Sequence, residues 1–520
     1  MGLGKFGRRD LLKGLGTAAA AMALDLPYRA MAQTTGAAPL RAAVLGSMAN
    51  LHPWQVMNVE ASGMINLLYS NLVRTLPDGS IVPDVAVALP KISNNGLTYT
   101  FELRKDVTFH NGDKLTSRDV LYTWEQFQAT ARRKDNFTSF IREIVAEGDY
   151  GVRFELKRPN SGFLYSLSYE AGIVRAGTDV VSNETGKDNL YLGNNGAGSG
   201  PYILTKFEPD AVAEFEAFPG YFGGKAPQEK IIVTRIPDPS AQLAAILSGS
   251  IDIASTVPPK DFGPALEKPG IKGAMRPSTG IFYSPLNRKI APFDNVHLRK
   301  AFACAIDRDF ICNDIYYGLV TPTSIPATPD EFWYDAALAK ELSYDPDKAR
   351  YHLRQGGMPD GFTFEAMIPA PSTYIEVTDA SVVMQANLAD VGITMDIRQI
   401  DFTSMYKAAR AGDFFAFPNA SMQFSIEDYL IYNSYSCDGA QFSFHQHCVP
   451  EYDAAVLDSF REVEPDKKAP YLKKVLKHLV DDCTSIWIGR LNTCNLWRED
   501  VTGFEPSKLY QLDLSRAKKG

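Results

Sequence analysis

The sequence predicts an α/β protein, and three stretches carry that prediction. In "FELRKDVTFHNGDKLTSRDVLYTW", Tyr99, Phe101 and Leu103 alternate with polar residues, and Val107 and Phe109 do the same. That period of two marks strands of a half-buried sheet. In "PSAQLAAILSGSIDIA", Leu243, Ile246 and Leu247 recur at helical spacing, and Gly249 ends the helix before a short strand. In "NVHLRKAFACAIDRDFI", Leu298, Phe302, Ala305 and Ile306 fall on one helical face. Helices alternating with short strands imply layered α/β architecture.

Taken in order, the chain of 520 residues carries "GRRDLLKGLGTAAAAMALDLPYRAMAQ" near its start. Arg8-Arg9, then Lys13, a weakly hydrophobic alanine-rich run and the small-residue site Ala30-Met31-Ala32 read as a twin-arginine export signal over 1–32. Removing it takes five basic and two acidic residues from a chain of net charge −8, leaving −11. An acidic chain of this kind has no electrostatic footprint for nucleic acid or an anionic membrane surface. No cysteine follows the cleavage site to carry a lipid, so a soluble periplasmic protein is expected.

In the next element Asn111-Gly112 supplies a turn, since both residues tolerate positive φ. Thr116 and Asp119 form a capping box, and Val120, Trp124 and Phe127 line one face of the helix that follows. His110, at a strand end before the turn, reads as structural rather than catalytic.

All six cysteines, 304, 312, 437, 448, 483 and 494, lie in the second half. Export permits disulfides, and Cys437–Cys448 is the expected bridge; Cys483 and Cys494 stay open. Cys304 and Cys312 sit in helix about 12 Å apart, too far to bridge each other.

No G-x-S-x-G, G-x-x-x-x-G-K-[ST] or H-E-x-x-H motif occurs. "LGNNGAGSGPY" is glycine-rich but leads into a strand, so it lacks the helix N-terminus that a phosphate cradle uses. The chain is therefore expected not to be an enzyme and to need no cofactor. "FHQHC" offers His445 and His447 as a weak metal pair, with both rings on one face if the segment is a strand. It supports two runner-up readings, a nickel- or metal-chelate binder and a secreted metal-dependent hydrolase.

"LLYSNLVRTLPDGSIVPDVAVALPKISNNGLTYTFELRKDVTFHNGDKLTSRDVLYTWEQF" resembles the signature region of the family 5 extracellular solute-binding proteins, the oligopeptide, dipeptide and nickel binders of ABC importers. The resemblance continues in "GSGPYILTKFEPD", "FPGYFGGKAP", "ILSGSIDIA", "APFDNVHLRKAFACAIDRD", "YDPDKARYHLRQGGMPDGF", "QANLADVGITMDIRQID" and "WREDVTGFEP", in the family's order. It implies a two-lobed periplasmic binding protein with an extra domain inserted in lobe I and two hinge crossings, near 280 and 485. Lobe I is placed at 33–80, 190–280 and 485–520, the inserted domain at 81–189 and lobe II at 281–484. It implies capture of a small solute, such as a peptide, a peptide-like molecule, an opine or a sugar derivative. The expected form is a monomer that delivers the solute to permease subunits in the inner membrane.

Family peptide binders place an aspartate for the ligand's ammonium after a Gly-Asp-[FY] segment. Here Gly412-Asp413-Phe414 is followed by "FAFPNASMQFSIEDYL", which puts Gln423 or Phe424 where the carboxylate belongs. Glu427 and Asp428 are the available substitutes. Asn419, Ser421 and Gln423 alternate along a predicted strand as an uncharged polar row. Trp54, in "LHPW", Tyr283, of which alternation sends inward only one from the pair Phe282-Tyr283, and Tyr374, on a loop, are the candidate aromatic walls.

Overall fold

The computed structural model describes residues 38–55, 59–131, 140–169, 172–178, 180, 197–369, 375–422, 425–439, 441–462 and 464–520. The expected export signal, Tyr374, Gln423 and Phe424 lie outside them.

Nine strands among the described residues form one mixed sheet. Leu40–Val44 runs parallel to Lys230–Arg235 on one side and to Ile253–Ala254 on the other. Val212–Ala217 and Tyr202–Glu208 extend one flank antiparallel. On the other flank Ser485–Arg498 pairs with Ile271–Pro285, which pairs with Asn419–Met422. A separate four-stranded sheet, Lys91–Ser93, Thr98–Glu102, Gly151–Leu156 and Ile141–Ala146, packs Phe101 edge-on against Phe154.

Two large apolar cores result. One draws on residues between Leu40 and Ile253 and between Val501 and Ala517, the other on residues between Ile281 and Leu491. The two long strands enter the second core at Ile281–Tyr283 and Ile486–Leu491. Their other ends, at Ile271 and Leu496, pack with Ala43, Ile246 and Ala254. At about 3.3 Å per residue each strand is roughly 50 Å long, enough to run from one lobe into the other. The fold is a two-lobed α/β fold.

Local signals act as the sequence reading expects. The Thr116 N–H donates to Asp119 at 2.8 Å ahead of helix Ser117–Thr130. Asp238 caps helix Pro239–Ser248, and Gly249 closes it at φ 74°. The glycine-rich run has a packing role: a Cβ on Gly198 would lie 2.2 Å from the Leu68 carbonyl oxygen, and one on Gly200 2.4 Å from that of Leu67.

Four expectations need correction. Val107–Phe109 forms no strand, only an isolated bridge between Thr108 and Lys114, because the tight turn leaves no length for a ladder. Leu247 is exposed, while Ile246 is buried and Leu243 packs partly buried against the same cluster, since the helix buries a narrow stripe. Phe282 and Tyr283 are both buried, because the long strand carries packing on both faces. His445 ends the short helix Phe442–His445 rather than lying on a strand.

Cys437 and Cys448 are joined, and Cys304, Cys312, Cys483 and Cys494 are reduced. Cys494 lies within the strand that begins just after Cys483, so extended backbone holds the two apart.

Candidate functional site

The edge strand Asn419–Met422 places Asn419 opposite Tyr283 and Ser421 opposite Ile281. Alternation puts Asn419 and Ser421 on one face. Ser421 hydrogen-bonds the Tyr283 phenol, and burial pushes that phenol's pKa up. The Tyr283 ring stacks on Trp487 at 5.2 Å and on His445 at 5.8 Å. Asn419 is only 2% exposed, yet its Oδ1 accepts no hydrogen bond among the described residues. An orphaned buried acceptor of this kind costs about 1–3 kcal/mol, which a suitable donor would recover. The structure thus brings together Tyr283, Asn419 and Ser421 at the point where the strands enter the second core.

Trp54 lies elsewhere, in the first core. Its indole N–H donates to Thr130 Oγ1 at 2.9 Å, and its ring meets His52 and Phe127 edge-on. His110 is structural in its contacts: Nε2 lies 3.0 Å from the Gly200 carbonyl, and its ring packs on Phe218.

Beside the polar row lies a charged group that sequence reasoning missed. Arg490, on the second long strand opposite Ile281, donates to Glu331 at 2.7 Å and to the Pro326 carbonyl at 2.7 Å. Burial raises the Glu331 carboxyl, and the charge of Glu427 adds to that; Arg490 works against it. Ser421, Ile281 and Arg490 occupy adjacent strands, so the polar row and the guanidinium's strand are about 10 Å apart. No local motif announces this group, because Glu331 and Arg490 are 159 residues apart.

His445 and His447 are fully buried in the second core. His445 Nδ1 lies 3.2 Å from Ser485 Oγ, and His447 Nδ1–H donates to the Tyr435 carbonyl at 2.7 Å. Burial lowers the pKa of both rings, and the Arg288 guanidinium lowers it further. The Asp482 carboxylate, 3.8 Å from His447 Nε2, acts against Arg288, and Cys448 is committed to its disulfide. Among the described residues no three His, Cys, Asp or Glu side chains converge as a metal set.

Residues 80–442 match the family model described as bacterial extracellular solute-binding proteins, family 5. The chain belongs to this family. As such it is a solute-binding subunit of an ABC importer, in a family of binding proteins rather than enzymes. The chain is 23% identical over 475 residues to a probable di/tripeptide-binding protein 5 of Pseudomonas aeruginosa, covering 84% of this chain and 87% of the relative. It is 24% identical to the dipeptide-binding protein of Escherichia coli, covering 66% of this chain and 68% of the relative. Its fold matches the Helicobacter pylori periplasmic binding protein DppA in complex with peptide STSA. The TM-score is 0.81 at 22% identity, covering 93% of this chain and 98% of that one. It matches AgaA, in complex with agropinic acid, from A. tumefaciens R10, with TM-score 0.81 at 21% identity, covering 93% and 99%.

Proposed function

We propose that this family member captures a small peptide-like or opine-like solute in the periplasm and delivers it to an inner-membrane permease, acting as a monomer exported through the twin-arginine route. The observation that carries the reading is the buried Asn419 carboxamide oxygen, without a partner among the described residues, beside Ser421 and Tyr283. Amide and hydroxyl groups recognise an amide- or hydroxyl-bearing ligand, and the sequence adds Gln423, Phe424 and Tyr374 as further ligand candidates. Glu427, facing Glu331, takes the ligand's ammonium in place of the aspartate that Gly412-Asp413-Phe414 does not lead to. Two carboxylates against the one guanidinium of Arg490 leave a net negative charge for that cation. Trp54 serves from the first lobe. The lobes are 33–80 with 190–280 and 485–520, carrying the inserted domain 81–189, and 281–484, and they hinge at the two long strands. The relatives that bind di- and tripeptides, and the fold neighbours holding a peptide and agropinic acid, support this solute range.

Calorimetric titration of the purified protein with dipeptides, opines and sugars tests it. One-to-one binding of a dipeptide or opine is expected. Silence toward all three classes, or stoichiometric nickel or zinc binding with none of them, overturns it.

A further inference from the structure

Away from the polar row the two lobes touch directly. Arg158 follows the strand Gly151–Leu156, whose apolar side chains belong to the first core. Its guanidinium lies 4.3 Å from the ring centroid of Tyr432, which belongs to the second core, and donates to Asp438 at 3.1 Å. Asp438 is next to Cys437, inside the loop that the disulfide closes onto Cys448. Nearby, Lys468 Nζ donates to Ser161 Oγ at 3.0 Å although Lys468 is only 5% exposed. Tyr429, from the second lobe's segment, packs against the first core. Phe140, Tyr165 and Phe460 line a small cavity that these contacts enclose.

These pairs join residues 280 and 307 positions apart. None involves the row around Asn419. They exist only while the lobes are together, since opening at the long strands separates the residues before 170 from those after 425. A guanidinium held between an aromatic face and a carboxylate is a favourable arrangement, more so where partly desolvated.

We propose that Arg158, gripping Tyr432 and Asp438, is the positioning residue of a solute-independent clasp that sets how far the lobes are closed before any solute arrives. The disulfide fixes the receiving loop, so the clasp closes onto a preformed seat. Arg158 touches no part of the polar row; it acts through the open–closed equilibrium, which scales apparent affinity for every solute alike.

Small-angle X-ray scattering of the solute-free protein tests this without reference to ligand identity, so it stands or falls apart from the solute reading. Wild type is expected to be more compact than Arg158→Ala, with the ratio of closed to open molecules falling about three- to tenfold. Arg158→Lys is expected in between. Lys468→Ala should expand the molecule in the same direction. Far-ultraviolet circular dichroism confirms the fold of each variant, and a variant that fails to fold is replaced by Asp438→Ala, which takes away the carboxylate end of the grip. Identical scattering of wild type and the folded variants overturns the proposal, whether both are open or both closed.

Discussion

Asn419 shows how one side chain records an unmet demand. Its Oδ1 is buried without a donor among the described residues, a desolvation cost that a solute N–H or O–H removes. Asn419→Ala is expected to weaken solute binding about tenfold, or about 1.4 kcal/mol, while leaving the thermal midpoint of the solute-free protein unchanged or higher. Isothermal titration beside a melting curve checks both halves. At the same scale, burial lowers the pKa of His52 and of His110 to about 4, while burial raises that of Asp84 to about 6. For each histidine the folded value lies below the unfolded one, so its stabilising contribution is present above about pH 6.5 and is lost as pH falls toward 4. Between pH 7 and 5 each costs about 2 kcal/mol. Asp84 acts oppositely: its folded value is raised, so protonation below pH 6 restores about 1.4 kcal/mol at pH 5. The net expectation is a lower urea midpoint at pH 5 than at pH 7.5. His110→Gln, which keeps a donor for the Gly200 carbonyl, should reduce that difference.

At the scale of elements, local chemistry and long-range contact divide the work. The capping box at Thr116, the αL glycine at Gly249 and the Asn111-Gly112 turn are short-range devices, and they act where the sequence places them. Gly198 is different. Its role is the absence of a side chain against Leu68, a residue far away in the chain, so its spacing alone suggests a loop and not a close approach. Gly198→Ala is expected to destabilise the protein by about 1–3 kcal/mol, because backbone rather than a flexible side chain must move; chemical denaturation measures it. The disulfide pins Cys437 to Cys448 across a short loop. Reducing it is expected to cost about 2–3 kcal/mol. A denaturant midpoint with and without reductant checks that, and Cys437→Ser should reproduce it.

At the scale of the whole molecule, the two long strands carry the chain between the cores, so the proposed hinge depends on how those strands bend and on what holds the lobes at a distance from them. If Glu331 and Glu427 form the cation-receiving end of the site, Glu427→Gln should weaken an amine-bearing dipeptide at least tenfold more than its N-acetylated form, read by titration of both ligands. The sequence by itself determined the layered α/β class, the main caps and turns, the Cys437–Cys448 pairing, and, through motifs spread along the chain, the solute-binding family. These are settled by periodicity, by backbone preferences of single residues and by motif order, all of which are local or one-dimensional. Only the tertiary structure decided that Phe282 and Tyr283 are both buried, that His445 and His447 are fully buried near Arg288, and that Arg490 meets Glu331 and Arg158 meets Tyr432. Those facts depend on which distant surfaces the folded chain presses together, and pairing between residues hundreds of positions apart leaves no periodic trace in the sequence.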